Sequence, residues 1–147
     1  MTYRTIAIGD IHGCSLALER LIAAVNPGPE DTVVPLGDYI DRGPESRGVL
    51  DQLLALGERC RLVPLLGNHE QMLLDARTSA TMKRQWLEYG GIATLQSYGD
   101  TLDLDAVPPE HIAFLETCRD YYETETHIFV HASYCPNLRM DEQPSFV

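Results

Sequence analysis

Basic residues are scarce in this chain. Lys plus Arg number 11 against 22 Asp plus Glu, a formal net charge of −11 over 147 residues. Nucleic acid and anionic membrane surfaces both select clustered positive charge, so neither is expected as a partner. The deficit leaves a phosphate substrate open, because a bound cation can reverse the local field. Cysteines are few and dispersed: Cys14, Cys60, Cys118 and Cys135 form no Cys-x-x-Cys pair. That spacing fits reduced thiols used as buried filler in a cytosolic protein. No apolar run approaches the ~20 residues of a membrane span. No secretory leader is read before the first apolar segment, so a cytoplasmic location is expected. Repeats and low-complexity tracts are also missing. What remains is a composition of 44% hydrophobic and 22% charged residues. This is the profile of one globular domain over residues 1–147.

The segment Tyr3 to Ile8, with its run Thr5-Ile6-Ala7-Ile8, reads as a buried parallel strand. Ser15 is placed to cap a helix carrying Leu18, Leu21, Ile22 and Val25 at i, i+3, i+4 and i+7. Asn26-Pro27-Gly28-Pro29 ends it. Thr32 to Leu36 reads as a second strand, whose proline points to an irregular or edge position. A helix over about 45–56 follows, with Gly57 just past its end. Cys60 to Leu66 reads as a third strand, followed by a helix through Met72 to Leu74. This β-α-β-α-β-α order implies a largely parallel sheet with right-handed crossovers. Residues 77–116 break the pattern: Gly90-Gly91, Tyr98-Gly99 and Pro108-Pro109 divide a helical cap into short pieces. Such a cap is expected to set substrate selectivity, or simply to cover the sheet. Tyr121-Tyr122 and His127 to Val130 read as two more short strands.

Four motifs follow apolar runs: Gly9-Asp10-Ile11-His12-Gly13, Gly37-Asp38-Tyr39-Ile40-Asp41-Arg42-Gly43, Gly67-Asn68-His69-Glu70 and His131-Ala132. Each sits where open α/β sheets bind ligands, at a strand's C-terminal end. Asp10 and His12 alternate, so their side chains can meet one cation. Mixed carboxylate and imidazole donors suit manganese, iron or zinc better than calcium. Asp38 has two oxygens with which to bridge two ions. Asn68 offers an amide oxygen and His131 an imidazole. Two ions clamp the attacking and leaving oxygens of an in-line displacement and activate water. Arg42 carries a planar fork suited to phosphate oxygens. His69 is placed to donate a proton to a leaving alkoxide, oriented by Asp41 or another carboxylate. Glu70 favours the N-terminus of the helix that follows. His111, in a helical stretch, reads as a surface residue. His127 lies ~13 Å along a strand from His131, too far to share an ion.

These motifs, together with Trp86, Gly90-Gly91 and Tyr98-Gly99, resemble the phosphoprotein phosphatase family of metallophosphoesterases, in particular the small bacterial Ser/Thr phosphatases. The resemblance implies an α-β-β-α sandwich with a mostly parallel first sheet. It implies one ion on Asp10, His12 and the bridging Asp38, and a second on Asp38, Asn68 and His131. Manganese is the metal it implies. Arg42, Asn68 and His69 are implied to contact substrate phosphate, with His69, paired with Asp41, as general acid. The implied substrates are phosphoproteins or phosphopeptides bearing phospho-Ser or phospho-Thr, with Tyr as an extension. Related dinucleoside polyphosphate hydrolases share the first motif but usually lack the counterpart of Asp41 and carry Asp in place of Glu70. The likeness breaks after His131-Ala132. Family members continue there with a second phosphate-binding Arg and a Gly-His-Thr segment whose His completes the second metal site. Arg139 does not match that context. The expectation is therefore an N-terminal portion of the pattern: an incomplete second sheet, weakened second-metal binding, impaired catalysis as an alternative outcome, and self-association through an uncovered face.

Overall fold

Sequence motifs become strand-end loops because each preceding run enters one parallel sheet. The computed structural model describes residues 3–99 and 101–144. Strand β1 (Thr5–Ile8) pairs in parallel with β2 (Thr32–Pro35), and β2 pairs with β3 (Arg61–Leu62). The sheet order is β1-β2-β3, so β2 is the central strand. This corrects the edge position expected from Pro35. Pro35 ends the strand, and its carbonyl still accepts from Leu65 N–H. The missing donor falls on the β3 side, where Val33 and Pro35 point, and Pro64 lacks one too. The expected third strand over 60–66 accordingly shrinks to the two residues Arg61–Leu62. Beyond it, Leu65 bridges in parallel to Arg119.

Helix α1 (Ser15–Val25) buries Leu18, but Leu21 stays exposed. Ser15 does not cap it; Cys14 holds that position, and Ser15 Oγ accepts from Gln52 Nε2 instead. Asn26 closes the helix in the left-handed region at φ 45°, as a C-cap does. Helix α2 (Ser46–Gly57) includes Gly57 and buries Val49, Leu50, Leu53 and Leu56. Burying each such side chain contributes about 1.5–3 kcal/mol. Helix α3 (Asn68–Ala76) starts inside the third motif. The cap then runs through α4 (Ala80–Trp86), a wide turn Leu87–Gly91, α5 (Ile92–Ser97), a 3₁₀ turn and α6 (Pro109–Glu116). Strands β4 (Tyr121–Glu123) and β5 (Ile128–Val130) form an antiparallel ribbon.

Alternation along β2 defines the layers. Val33 joins the main core with Leu50, Leu53, Leu73, Trp86 and Leu115 under the helices. Val34 faces the other way and packs with Val63 and Leu65 against Tyr122 and Phe129 of the ribbon. Helices, parallel sheet and antiparallel sheet thus stack in the α-β-β order of the expected sandwich. Among the described residues no second helical layer covers the ribbon. No helix among them is long and apolar enough to cross a membrane.

Candidate metal centre

The site forms where the loops after β1, β2 and the third motif meet. Backbone bonds lock the first two together. Asp38 C=O accepts from Ile11 and His12 N–H at 2.9 and 2.8 Å, and Tyr39 C=O accepts from Gly13 N–H at 2.9 Å. The turns are tight. His12, Asp38, Asp41 and Arg42 all have positive φ, at 43°, 54°, 71° and 67°. Such left-handed non-glycine residues are uncommon and persist where the surroundings over-determine them. Gly13 lies so close to Gly43 that a Cβ there would sit 2.7 Å from the Gly43 carbonyl oxygen. Only glycine permits that approach.

Asp38 stands at the centre. Its side chain is 7% exposed. Oδ2 lies 3.5 Å from His12 Nε2 and Oδ1 lies 3.4 Å from His131 Nε2. Each oxygen therefore addresses a different imidazole. Both rings are fixed from behind: His12 Nδ1 contacts Ile40 C=O and His131 Nδ1 contacts Leu36 C=O, each at 2.8 Å. A carbonyl only accepts, so each Nδ1 carries a hydrogen, and in the neutral ring each Nε2 presents a lone pair. Asn68 Oδ1 is 3.1 Å from His131 Nε2. With the ring neutral, His131 Nε2 thus brings its lone pair to those of Asp38 Oδ1 and Asn68 Oδ1, 3.4 and 3.1 Å away. Ligands about 2.1 Å from one cation are separated by about 3.0–3.4 Å, so these donors fit a divalent ion. Backbone carbonyls behind both rings are the usual orienting partners of metal-bound histidines.

Around Asp38 the donors diverge from the expected set in two respects. His12, Asp38 and His69 present ligand atoms within 4.8 Å of one another. His69 joins this cluster although its expected role is proton transfer. Its Nδ1 contacts Asp41 Oδ2 at 2.7 Å and its Nε2 faces Arg42 Nη2 at 3.0 Å. Asp10 is exposed and lies outside that cluster. Arg42 reaches from the second loop, with Nη1 also 3.1 Å from His12 Nε2. Its guanidinium lies between the two rings, where a phosphate oxygen could be gripped.

Two anchors were underestimated from sequence. Glu70 is fully buried. Its Oε2 accepts from Asp38 N–H and Gly67 N–H at 2.7 and 3.1 Å, and its Oε1 from Tyr39 N–H and Ile40 N–H at 2.8 and 3.3 Å. One carboxylate thereby holds both the second and third loops. Burial pushes that carboxyl up to about 7, against the N–H donors that favour its anion. The signal in sequence was its position three residues after Gly67, the N3 site of α3, from which a Glu side chain reaches back to the N-cap N–H. The second anchor is the cap. Trp86 Nε1 donates to Asp41 Oδ2 at 2.9 Å, and Thr94 Oγ1 donates to Asp41 Oδ1 at 2.6 Å. Burial pushes the Asp41 carboxyl above its ordinary value, opposed by Thr94, His69 and Trp86. His111 also differs from its surface reading. It is 1% exposed, with Nδ1 2.7 Å from the Tyr98 hydroxyl and Nε2 2.9 Å from Asp51 Oδ1. His127 lies at the edge of the ribbon, exposed, and stacks on Phe129.

The profile of the calcineurin-like phosphoesterases matches residues 3–138. A Serine/threonine-protein phosphatase 1 of Salmonella typhimurium is 45% identical over 85 residues, 57% of this chain and 37% of that protein. A symmetrical bis(5'-nucleosyl)-tetraphosphatase of Paraburkholderia phymatum is 30% identical over 140 residues, 92% of this chain and 44% of that one. Among solved structures, one described as a putative diadenosine tetraphosphatase superposes with a TM-score of 0.72 at 27% identity, covering 95% of this chain and 55% of that chain. The chain thus spans less than half the length of the curated relatives it matches. Together with the lone-pair cluster around Asp38, the match over nearly all of its length makes this chain a member of the calcineurin-like metallophosphoesterases, hydrolases that work with divalent metal ions.

Proposed function

We propose that this chain carries the centre of a phosphomonoesterase that removes phosphate from Ser or Thr, and by extension Tyr, of phosphoproteins. The observation that carries the reading is the Asp38 carboxylate, with one oxygen facing His12 and the other His131. Asp10, His12 and Asp38 are the residues to hold one ion; Asp38, Asn68 and His131 are those to hold the other. When bound, the ions supply Lewis acidity and an activated water for in-line attack on phosphorus. Manganese is the first metal to test. Arg42 turns its fork from the two imidazoles to phosphate oxygens, and Asn68 contributes its amide. His69 then carries a proton on Nε2 and passes it to the leaving oxygen as the P–O bond breaks. Asp41, bonded to Nδ1, supports the charged ring and fixes its direction. Asp41 and Glu70 support a phosphoprotein substrate, since related dinucleotide hydrolases usually differ at both positions.

A second reading is a dinucleoside polyphosphate hydrolase. It is favoured by the Paraburkholderia phymatum relative, which aligns over 92% of this chain, and by the fold likeness at TM-score 0.72. Parallel hydrolysis of a serine phosphopeptide and diadenosine tetraphosphate, with manganese, separates the two. Faster phosphopeptide turnover is expected. Preferential nucleotide cleavage sinks the phosphoprotein reading, and indifference to manganese sinks both.

A further inference from the structure

The cap reaches the reacting centre through hydrogen bonds as well as packing. Thr94 lies on α5, 53 residues from Asp41 in sequence, and is fully buried. Its hydroxyl accepts from Asp41 N–H at 2.8 Å and donates to Asp41 Oδ1 at 2.6 Å. A hydroxyl has one hydrogen, so the 3.0 Å contact with Ser46 Oγ is donated by Ser46. Ser46 Oγ in turn receives Asp41 N–H at 3.1 Å. Oδ2 of the same carboxylate takes Trp86 Nε1–H and His69 Nδ1–H. Every polar atom of this cluster has a defined partner, and all five residues are at most 1% exposed.

Backbone packing points the same way. Gly90 C=O accepts from Arg42 N–H at 3.4 Å. A Cβ on Gly90 would stand 3.1 Å from both Arg42 N and Arg42 Cγ, at a φ of 121°. The cap is thus seated directly on the two left-handed residues, Asp41 and Arg42.

We propose that Thr94 and Trp86 are positioning residues: together they hold the Asp41 carboxylate in the single orientation that aims His69 at the reacting phosphoryl group. With Oδ1 fixed by Thr94 and Oδ2 shared between Trp86 and His69, the carboxylate cannot rotate without breaking a buried bond. The His69 ring inherits that direction through Nδ1. The cap therefore contributes to proton delivery, apart from any role in substrate choice. This rests on His69 acting as an acid.

The test compares Thr94→Val, Thr94→Ser and His69→Gln. Valine is near-isosteric but cannot donate. Manganese-loaded proteins are assayed on p-nitrophenyl phosphate, whose leaving group needs little protonation, and on a serine phosphopeptide, whose alkoxide needs it. Thr94→Val is expected to lower kcat on the phosphopeptide about tenfold, with KM and p-nitrophenyl phosphate turnover changed less than about twofold. Thr94→Ser restores it. In the metal-free protein, proton NMR of the single tryptophan and of the His69 Nδ1–H is expected to shift in Thr94→Val and not in Thr94→Ser. Equal loss on both substrates, or unmoved resonances, overturns the positioning role while His69→Gln remains substrate-selective. If His69→Gln itself loses both substrates equally, the acid reading fails first and the positioning role falls with it.

Discussion

The two halves of the candidate metal centre are built to different standards. Asp38, His69 and the His12 loop hang from a three-stranded parallel sheet and α3. Glu70 ties the second and third loops with four backbone bonds, and Asp41 is saturated by the cap. His131 instead follows β5, a three-residue strand paired, among the described residues, only with β4. Beyond it, Gln143 is the main tether: its side chain bonds Cys135, Leu138 and Arg139 backbone, partly exposed. The first half is fixed by buried bonds, which lose much when a partner is removed. Apart from the Leu36 carbonyl behind the His131 ring, the second is fixed by partly exposed bonds that water can replace. Preorganisation, and with it metal affinity, is expected to be unequal.

Asp38 belongs to both halves, so its loss produces the largest effect. Asp38→Asn is expected to lower manganese-dependent aryl phosphate hydrolysis by at least about 100-fold, since a ligand matters more than the groups behind it. Calorimetric titration of the same variant should show neither manganese step at its native affinity. Retained activity in Asp38→Asn breaks the bridging assignment.

A matched pair of stability variants asks whether the asymmetry is energetic. Glu70→Gln places an amide NH₂ against two of the four backbone N–H groups. At about 1–3 kcal/mol for each buried donor left unmatched, it should cost about 2–6 kcal/mol. Gln143→Ala removes a comparable number of bonds at the other end. It should cost less than about 1 kcal/mol, because solvent reaches that turn. Urea unfolding at neutral pH measures both. Similar losses in the two variants would remove the contrast.

Sequence patterning revealed the first half far better than its anchors. Apolar runs, strand-end glycines and the Asp/His/Asn spacing are local signals, and the β-α-β order follows from them. The contact of Thr94 with Asp41 spans 53 residues, and nothing at Thr94 marks it. Trp86 was visible as part of a resemblance, but its N–H partner depends on where the cap docks. Glu70 was legible only as a helix-capping residue, since its reach to Asp38, Tyr39 and Ile40 needs the loops to meet. Pro35 misled because a proline that disfavours a central strand is harmless as its last residue. His111 misled because helical position alone does not tell which face is buried. Even so, the motifs that bring His12, Asp38, Asn68 and His131 together could be located from sequence, because each follows its own apolar run.

Metal titration sharpens the contrast next. The native chain is expected to bind manganese in two unequal steps. His131→Ala should remove the weaker one and leave the tighter within about twofold; His12→Ala should weaken the tighter step by about 10–100-fold. Two equal steps, or a His131→Ala variant that loses the tighter one, reverses the ranking of the halves.

The smallest expected effect lies in acid. Asp31 pairs with Arg4 at 2.5 Å, 27 residues away, and also accepts from Gly28 N–H. Its carboxyl is held below the ordinary value, first by Arg4 and then by the Gly28 N–H. Its contribution to stability is therefore complete above the ordinary carboxylate pKa of about 4 and fades as pH falls below it. In the other region Arg139 lowers Asp141 too, but the pair is two residues apart and exposed. Such a local pair forms almost as readily in the unfolded chain, so its shift says little about folding. Urea midpoints at pH 7 and pH 3 should show Asp31→Asn less stable than the native chain at pH 7, with the gap narrower at pH 3. Asp141→Asn should match the native chain at both. An equal, pH-dependent gap for Asp141→Asn would mean that the second region is anchored as firmly as the first, and the ranking of the two metal sites would lose its physical basis.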